Sequence, residues 1–324
     1  MTWFIFLGLC IGASGRGLRV ATWNVEHGIG EPGTAKHAAQ RAILQRLDAD
    51  VIGFQELNGR THAHWDQLGA ELGYAHRAWG ELGPFAGGMY VGYYSRYPII
   101  GQASVGSPPE ALELSRIPLR VAIDVPGRET PLVLWNMHHK AMFAYRDRYR
   151  RAVEARRILD DLAAYQAAHA PHGYFIILGD MNDDPKRETQ PATVHWQPED
   201  LPRTFAPGAD VRAGPLTYRA FPTDHYADPR FGLIEAPAFR QGSTNDITHL
   251  YTEYRLDYLY LSPALAKIAV PALEGEIYHS AHDRPTGGRP KQGAPLSPGT
   301  SLEASDHYPV FIDLDLLPTS ADSP

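Results

Sequence analysis

Six places in the sequence put a carboxylate, an amide or an imidazole beside a short apolar run. Val20-Ala21-Thr22-Trp23 leads to Asn24 and Glu26, and Val51-Ile52-Gly53-Phe54 leads to Gln55 and Glu56. Leu132–Trp135 leads to Asn136 and His138, and Phe175-Ile176-Ile177-Leu178 leads to Gly179-Asp180-Met181-Asn182. Further on, Asp257 sits within Arg255-Leu256-Asp257-Tyr258, and Ser305-Asp306-His307 precedes the run Tyr308–Leu314. One polar residue at a strand end is usually a cap or turn former. Six such sites in one chain point to a shared crevice, since ligands of open α/β sheets bind at the ends of strands. Glu26, Glu56 and Asp306 offer the hard oxygen donors that Mg²⁺ or Mn²⁺ takes. Zinc suits the chain less well, because no helical His-x-x-x-His pair is present and the single cysteine, Cys10, lies in an apolar N-terminal stretch.

The elements that must carry these residues can be read from periodicity. Short β-rich runs occur at Leu18–Trp23, Val51–Gln55, Tyr90–Tyr94, Val121–Val125, Leu132–Met137, Tyr174–Leu178, Tyr258–Leu261 and Val310–Leu314. Between them, Thr34 can cap a helix with Ala39, Ile43, Leu44 and Leu47 on one face, ending near Asp48. A second helix, roughly Tyr145–His169, turns Val153, Ile158, Leu159 and Leu162 inward. Strands alternating with helices, then strands parted by long loops, predict a mixed α/β fold with packed sheets. Asp283–Thr300 holds four Pro and four Gly and is expected to be a loop on the rim of the site.

In this order and spacing, the residues resemble the endonuclease/exonuclease/phosphatase superfamily. The anchors are Thr22-Trp23-Asn24-Val25-Glu26, Gln55-Glu56, Tyr94-Ser95-Arg96-Tyr97-Pro98-Ile99, Asn136-Met137-His138, Gly179-Asp180-Met181-Asn182, Arg255-Leu256-Asp257-Tyr258 and Ser305-Asp306-His307. Each is weak alone; together they span about Leu18 to Leu316. The resemblance implies one α/β domain, a four-layer sandwich of two mainly antiparallel or mixed β-sheets packed face to face with helices outside. It also implies a divalent-metal site at one edge, with Glu56, Glu26 and Asp306 as metal ligands for Mg²⁺ or Mn²⁺. Asp180 would orient or deprotonate the attacking water, while Asn182 and Asn24 would fix that water and the phosphate. His307 would contact the phosphoryl group with Asp257 on its other ring nitrogen, and His138 would bind phosphate or protonate the leaving group. His139 is the alternative to His138.

The sequence also departs from parts of that superfamily. Met137-His138 stands where abasic-site endonucleases carry a tyrosine motif, and Asp183-Asp184-Pro185 lacks the aromatic and Arg usual in 5-phosphatases. The expected substrate is a phosphodiester, in a nucleic acid, a phospholipid or a small molecule. An inactive binding module on the same fold is the alternative, disfavoured because Glu56, Asp180, Asn182, Asp257, Asp306 and His307 are all present. Gly28-Ile29-Gly30-Glu31-Pro32-Gly33 mimics a dinucleotide-binding turn, but Glu31 would face the pyrophosphate and Pro32 removes a donor, so an oxidoreductase is disfavoured further.

Composition bounds the rest. The 324 residues carry 30 Lys+Arg against 37 Asp+Glu, a net charge of −7, which argues against coating nucleic acid through a broad basic surface. Residues 1–15 read as a signal peptide, so an exported protein with its domain at 16–317 and a tail at 318–324 is expected. No protein partner is implied, and a monomer is expected. Lys140 to Arg157 holds seven basic residues, read either as a phosphate-binding flank or as a solvated helix face with pairs such as Arg150 with Glu154. Trp65, Trp79 and Trp196 are expected to pack rather than stack on ligand, and His62, His64, His279 and His282 to lie at the surface.

Overall fold

Two sheets lie back to back, and alternation along their strands explains why. In β1 (Leu18–Asn24), Leu18 and Val20 face the second sheet, while Ala21 and Trp23 face a helical layer. In β8 (Tyr174–Asp180), Ile176 and Leu178 point into the same inter-sheet core, and Phe175 and Ile177 point outward to another helix. Both strands are buried on both faces, so their sequences read as unbroken apolar runs. The computed structural model describes residues 17–83, 88–142, 144–169, 173–187, 193–195, 204–212, 217–219 and 225–317. The predicted signal peptide, the tail and Trp196 lie outside the described residues.

The first sheet has eight strands. β1 is flanked by β16 (Val310–Leu314) and β2 (Val51–Asn58), followed by β4 (Met89–Ser95) and the edge strand β3 (His76–Trp79); beyond β16 come β14 (Ala269–Val270), β15 (Gly275–Ile277) and β12 (Ala238–Arg240). β1 runs parallel to β2 and antiparallel to β16, with Leu18 opposite Leu314 and Thr22 opposite Val310. The second sheet has six strands in the order β11 (Ile234–Glu235), β13 (Asp257–Leu261), β8, β7 (Leu132–His138), β6 (Leu119–Ile123) and β5 (Ile99–Ser104). Both sheets are mixed, and the predicted α/β sandwich is the observed one. A further pair, β9 (Thr193–His195) with β10 (Thr217–Arg219), stands apart.

Helix α1 (Ala35–Leu47) starts where Thr34 accepts a hydrogen bond from the His37 amide and stops at Asp48 in the left-handed conformation. Its Ile43, Leu44 and Leu47 cover the outer face of the first sheet together with Trp65 and Leu68 of α2 (His62–Glu71). Helix α3 (Tyr145–Ala168) covers the second sheet with Ile158, Leu159 and Leu162. No helix among the described residues is long and apolar enough to cross a membrane.

Two expectations need correction. The basic run on α3 is a solvated face only in part: Arg146 and Arg156 are exposed and the expected Arg150–Glu154 pair forms at 3.7 Å, but Arg150, Arg151 and Arg157 are buried. Arg157 forks onto Glu113 and Asp210, and Arg150 reaches the Glu113 carbonyl, so the charges pay desolvation against partners that arrive from distant loops. The loop 283–300 is also not confined to the rim of the site. Asp283 takes a two-pronged hydrogen bond from Arg46 near the end of α1, and Arg46 also donates to the Gln292 and Gly293 carbonyls.

Candidate active site

Strand register assembles half of the site. His138 at the end of β7 lies opposite Asp180 of parallel β8, and Asp257 of antiparallel β13 lies opposite the same Asp180. Three chemically active side chains therefore stand abreast on the second sheet. The first sheet supplies the other half, because Asn24 ends β1 beside Gln55 of β2. Just past Gln55 a bulge breaks the ladder between Phe54 and Leu57, and Glu56 there takes a positive φ of 61°. The bulge turns Glu56 toward Asn24 instead of into either sheet face.

A buried amide bridge sets the spacing between the two halves. Gln55 donates to Asn136 Oδ1 at 2.7 Å, and Asn136 donates to the Phe54 and Gly92 carbonyls at 3.0 Å each. Gly53 makes this approach possible: a Cβ there would stand 2.5 Å from Leu178 Cδ1 and 3.1 Å from Asn136 Nδ2. Asn136 and Gln55 thus tie sheet to sheet.

Asp180 is the centre. It accepts from Asn24 Nδ2 at 3.0 Å and from the Asn182 amide at 2.8 Å, with His138 Nε2 at 3.4 Å and His307 Nε2 at 3.8 Å. Burial raises its carboxyl above the ordinary range, with His307 acting against that rise. Asn24 also donates to Glu56 Oε1 at 3.2 Å, and its own Oδ1 accepts from the Glu26 amide. Asn182, with φ of 49°, donates to the His139 carbonyl at 3.1 Å.

The two histidines flanking Asp180 are electrostatically opposite. Asp257 Oδ2 lies 2.8 Å from His307 Nδ1; burial lowers the imidazole pKa, but Asp257 and Asp180 outweigh it and push it up to about 10. His307 therefore carries its proton at neutral pH. His138 is buried without such a carboxylate bond, and desolvation together with Arg116 and His307 holds it well below the ordinary range, as a neutral ring. Its Nδ1 is a buried atom without a partner. His139 points the other way, to Glu154 at 3.2 Å and Tyr226 at 2.8 Å behind the site. Of the two candidates, the structure brings His138 to Asp180.

Acidic oxygens gather beside this core. Lys36, in the first turn of α1, donates to the Glu26 carbonyl, and the carboxylates of Glu26, Asp306 and Glu56 all act on its ammonium. Two groups bring three candidate metal-ligand atoms within 4.8 Å of one another: Asp180, Asp257 and His307, and His249, Asp306 and His307. Burial opposes ionisation of Asp306, but His249 and His307 hold its pKa below the ordinary value. On the far side of His138, Arg116 donates to the His139 carbonyl at 3.0 Å while its Nε finds no partner, and Lys140 adds a second cation. Lys36, Arg116 and His249 were not singled out from the sequence. Each comes from a helix turn or loop, where no strand-end pattern marks it.

A family profile described as the Endonuclease/Exonuclease/phosphatase family matches residues 21–307, almost the same interval that the two-sheet core and the site occupy. The chain belongs to the endonuclease/exonuclease/phosphatase family. Members of this family are hydrolases acting on phosphoester bonds. Solved structures agree on the fold. An endonuclease/exonuclease/phosphatase from Beutenbergia cavernae is 19% identical with TM-score 0.57, covering 93% of this chain and 72% of its own. The human Nocturnin catalytic domain with bound sulfate is 14% identical with TM-score 0.56, covering 92% and 93%. A mannosyl-6-phosphatase of Bacteroides thetaiotaomicron is 14% identical with TM-score 0.54, covering 92% and 99%. No curated protein matches the sequence.

Proposed function

We propose that the protein hydrolyses a phosphodiester and depends on a divalent cation, Mg²⁺ or Mn²⁺. The observation that carries this reading is Asp180: a buried carboxylate held by Asn24, with a protonated imidazole on one side and a neutral one on the other. A carboxylate so placed can hold a water and take its proton as that water attacks phosphorus. His307, kept protonated and oriented by Asp257, donates to a phosphoryl oxygen as negative charge builds there. Asn24 and Asn182 fix the geometry of the attack, and His138 completes the ring around the phosphoryl group.

The donor set fits a hard divalent cation. Glu26, Glu56 and Asp306 supply carboxylate oxygens whose charges all reach the Lys36 ammonium, and Asp306 is the one of the three that lies in a group of ligand atoms within 4.8 Å of one another. These three would hold the ion, which when bound supplies positive charge against the phosphoryl and leaving oxygens. Arg116 and Lys140 beside His138 favour a substrate with a further anionic group next to the scissile one, as a nucleic acid backbone has. A phospholipid or small phosphodiester with a charged headgroup is the second reading. Export through residues 1–15 is part of this proposal.

The purified chain is expected to cleave bis-p-nitrophenyl phosphate with Mg²⁺ or Mn²⁺ and to stop with EDTA. Asp180→Ala and His307→Ala are each expected to lose at least about 100-fold in kcat. Metal-independent turnover, or full activity in either variant, would overturn the reading. Plasmid DNA, RNA and sphingomyelin assayed side by side identify the substrate class.

A further inference from the structure

The segment Thr248–Leu250 is stitched along Ser305–Tyr308. Leu250 N donates to the Asp306 carbonyl at 2.8 Å, Tyr308 N donates to the Thr248 carbonyl at 2.8 Å, and His249 bridges His307 in antiparallel fashion. Thr248 Oγ1 in turn accepts from the Leu256 and Asp257 amides at 2.9 and 3.1 Å. One short strap thus holds the backbone of both Asp257 and Asp306.

The strap also fixes a proton. His249 Nδ1 accepts from Thr252 N at 3.0 Å, and a backbone amide can only donate, so Nδ1 must present its lone pair. Thr252 Oγ1 is 2.8 Å from the same Nδ1 and accepts from Tyr254 N, and its hydroxyl hydrogen is free to join the amide at that one lone pair. The neutral imidazole therefore carries its hydrogen on Nε2, and Nε2 faces Asp306 Oδ2 at 3.5 Å. The ring is braced edge-on by His307, with centroids 4.6 Å apart, and its side chain is 13% exposed.

We propose that His249 is a positioning residue that donates its Nε2–H to Asp306, orienting that carboxylate for a divalent cation, and is not itself a metal ligand. The inference rests on the reading of Asp306 as a ligand given above. Proximity alone would suggest a His249–Asp306–His307 cage, since their donor atoms lie within 4.8 Å. Ligation by His249 would need the Nε2 lone pair, which moves the hydrogen to Nδ1 and sets it against the Thr252 N–H. Imidazole and carboxylate in this relation fix one another's orientation, and loss of such a partner costs about 10–100-fold in metal affinity.

Two measurements test it. Long-range ¹H–¹⁵N NMR of the metal-free wild-type protein is expected to show the His249 ring with a proton on Nε2 and a bare Nδ1; a proton on Nδ1 would overturn the proposal. Mn²⁺ binding without substrate, followed by the EPR signal of the free ion, is then compared across variants of unchanged Tm. His249→Phe keeps a ring but no donor and is expected to weaken Mn²⁺ by about 10–100-fold. His249→Gln, which can present an N–H near the Nε2 position, is expected to stay within about threefold of wild type, well short of that loss. Unchanged affinity in His249→Phe, or equal losses in both variants, would overturn the positioning role. A wild-type protein that binds no Mn²⁺ would instead overturn the metal reading beneath it, a result distinguishable because it appears before any substitution.

Discussion

Glu154 offers a measurable test of how the site is supported from behind. Its buried carboxylate accepts from Ser115 N and Lys140 N at 2.8 Å each, from the Ser115 hydroxyl, and lies 3.2 Å from His139 Nδ1. Burial favours the neutral acid, yet His139, Arg150 and Ser115 outweigh it and hold the carboxyl at about 2 instead of 4.5. At ~1.36 kcal/mol per pH unit, that separation is worth ~3 kcal/mol of stability at neutral pH. Glu154→Gln keeps the shape but turns one acceptor into a donor that faces other donors. With ~2 cal/mol/K of unfolding entropy per residue over ~300 residues, the loss amounts to ~5 °C in Tm. The folded carboxyl titrates below the unfolded one, so the stabilisation is complete above about 4.5 and drains away as pH falls toward about 2. Urea unfolding of both proteins should therefore show a gap of ~3 kcal/mol at pH 7 that narrows by ~1 kcal/mol at pH 3.5. Equal stability at pH 7, or a gap that widens on acidification, would refute the reasoning.

The neighbouring histidines should separate cleanly. His138→Phe is expected to cut kcat by at least about 10-fold with Tm nearly unchanged. His139→Phe removes one of the groups that hold Glu154 and takes the imidazole partner from the buried Tyr226 hydroxyl, so it should lower stability by about 2 kcal/mol, read by urea titration. Gly179 has φ of 139°, and a Cβ there would sit 2.0 Å from the Met137 carbonyl oxygen. Gly179→Ala should cost more than about 3 kcal/mol and leave little folded protein at 37 °C, checked by circular dichroism.

What the sequence made legible follows from where each signal resides. Thr34, the Ile43-Leu44-Leu47 face and Asp48 bounded α1 because cap and stripe are local. The central strands were legible because burial on both faces forces an apolar run, and a polar residue ending such a run marks the site edge. β3 and α2 gave no comparable signal. β3 has four residues, and α2 lacks a side-chain cap bond and buries only Trp65, Leu68 and Gly69. Trp65 packs as expected, whereas Trp79 is 49% exposed. The buried state of Arg150 and Arg157 is a tertiary fact, since Arg157 pairs with Glu113 and Asp210 and Arg150 donates to the Glu113 backbone carbonyl, all remote in sequence. His249 is invisible for the same reason: its place beside Asp306 exists only once a loop zips onto another strand.

The antiparallel register of β1 with β16 has a geometric consequence for anything joined to this domain. Leu18 and Leu314 are paired neighbours, while Asn24, at the other end of β1, lies ~20 Å away in the candidate active site. Both ends of the sandwich core leave from one pole, and the candidate active site lies at the other. A leader, tether or fusion partner attached at either end would hold the enzyme by its back, with the mouth turned away from the attachment point.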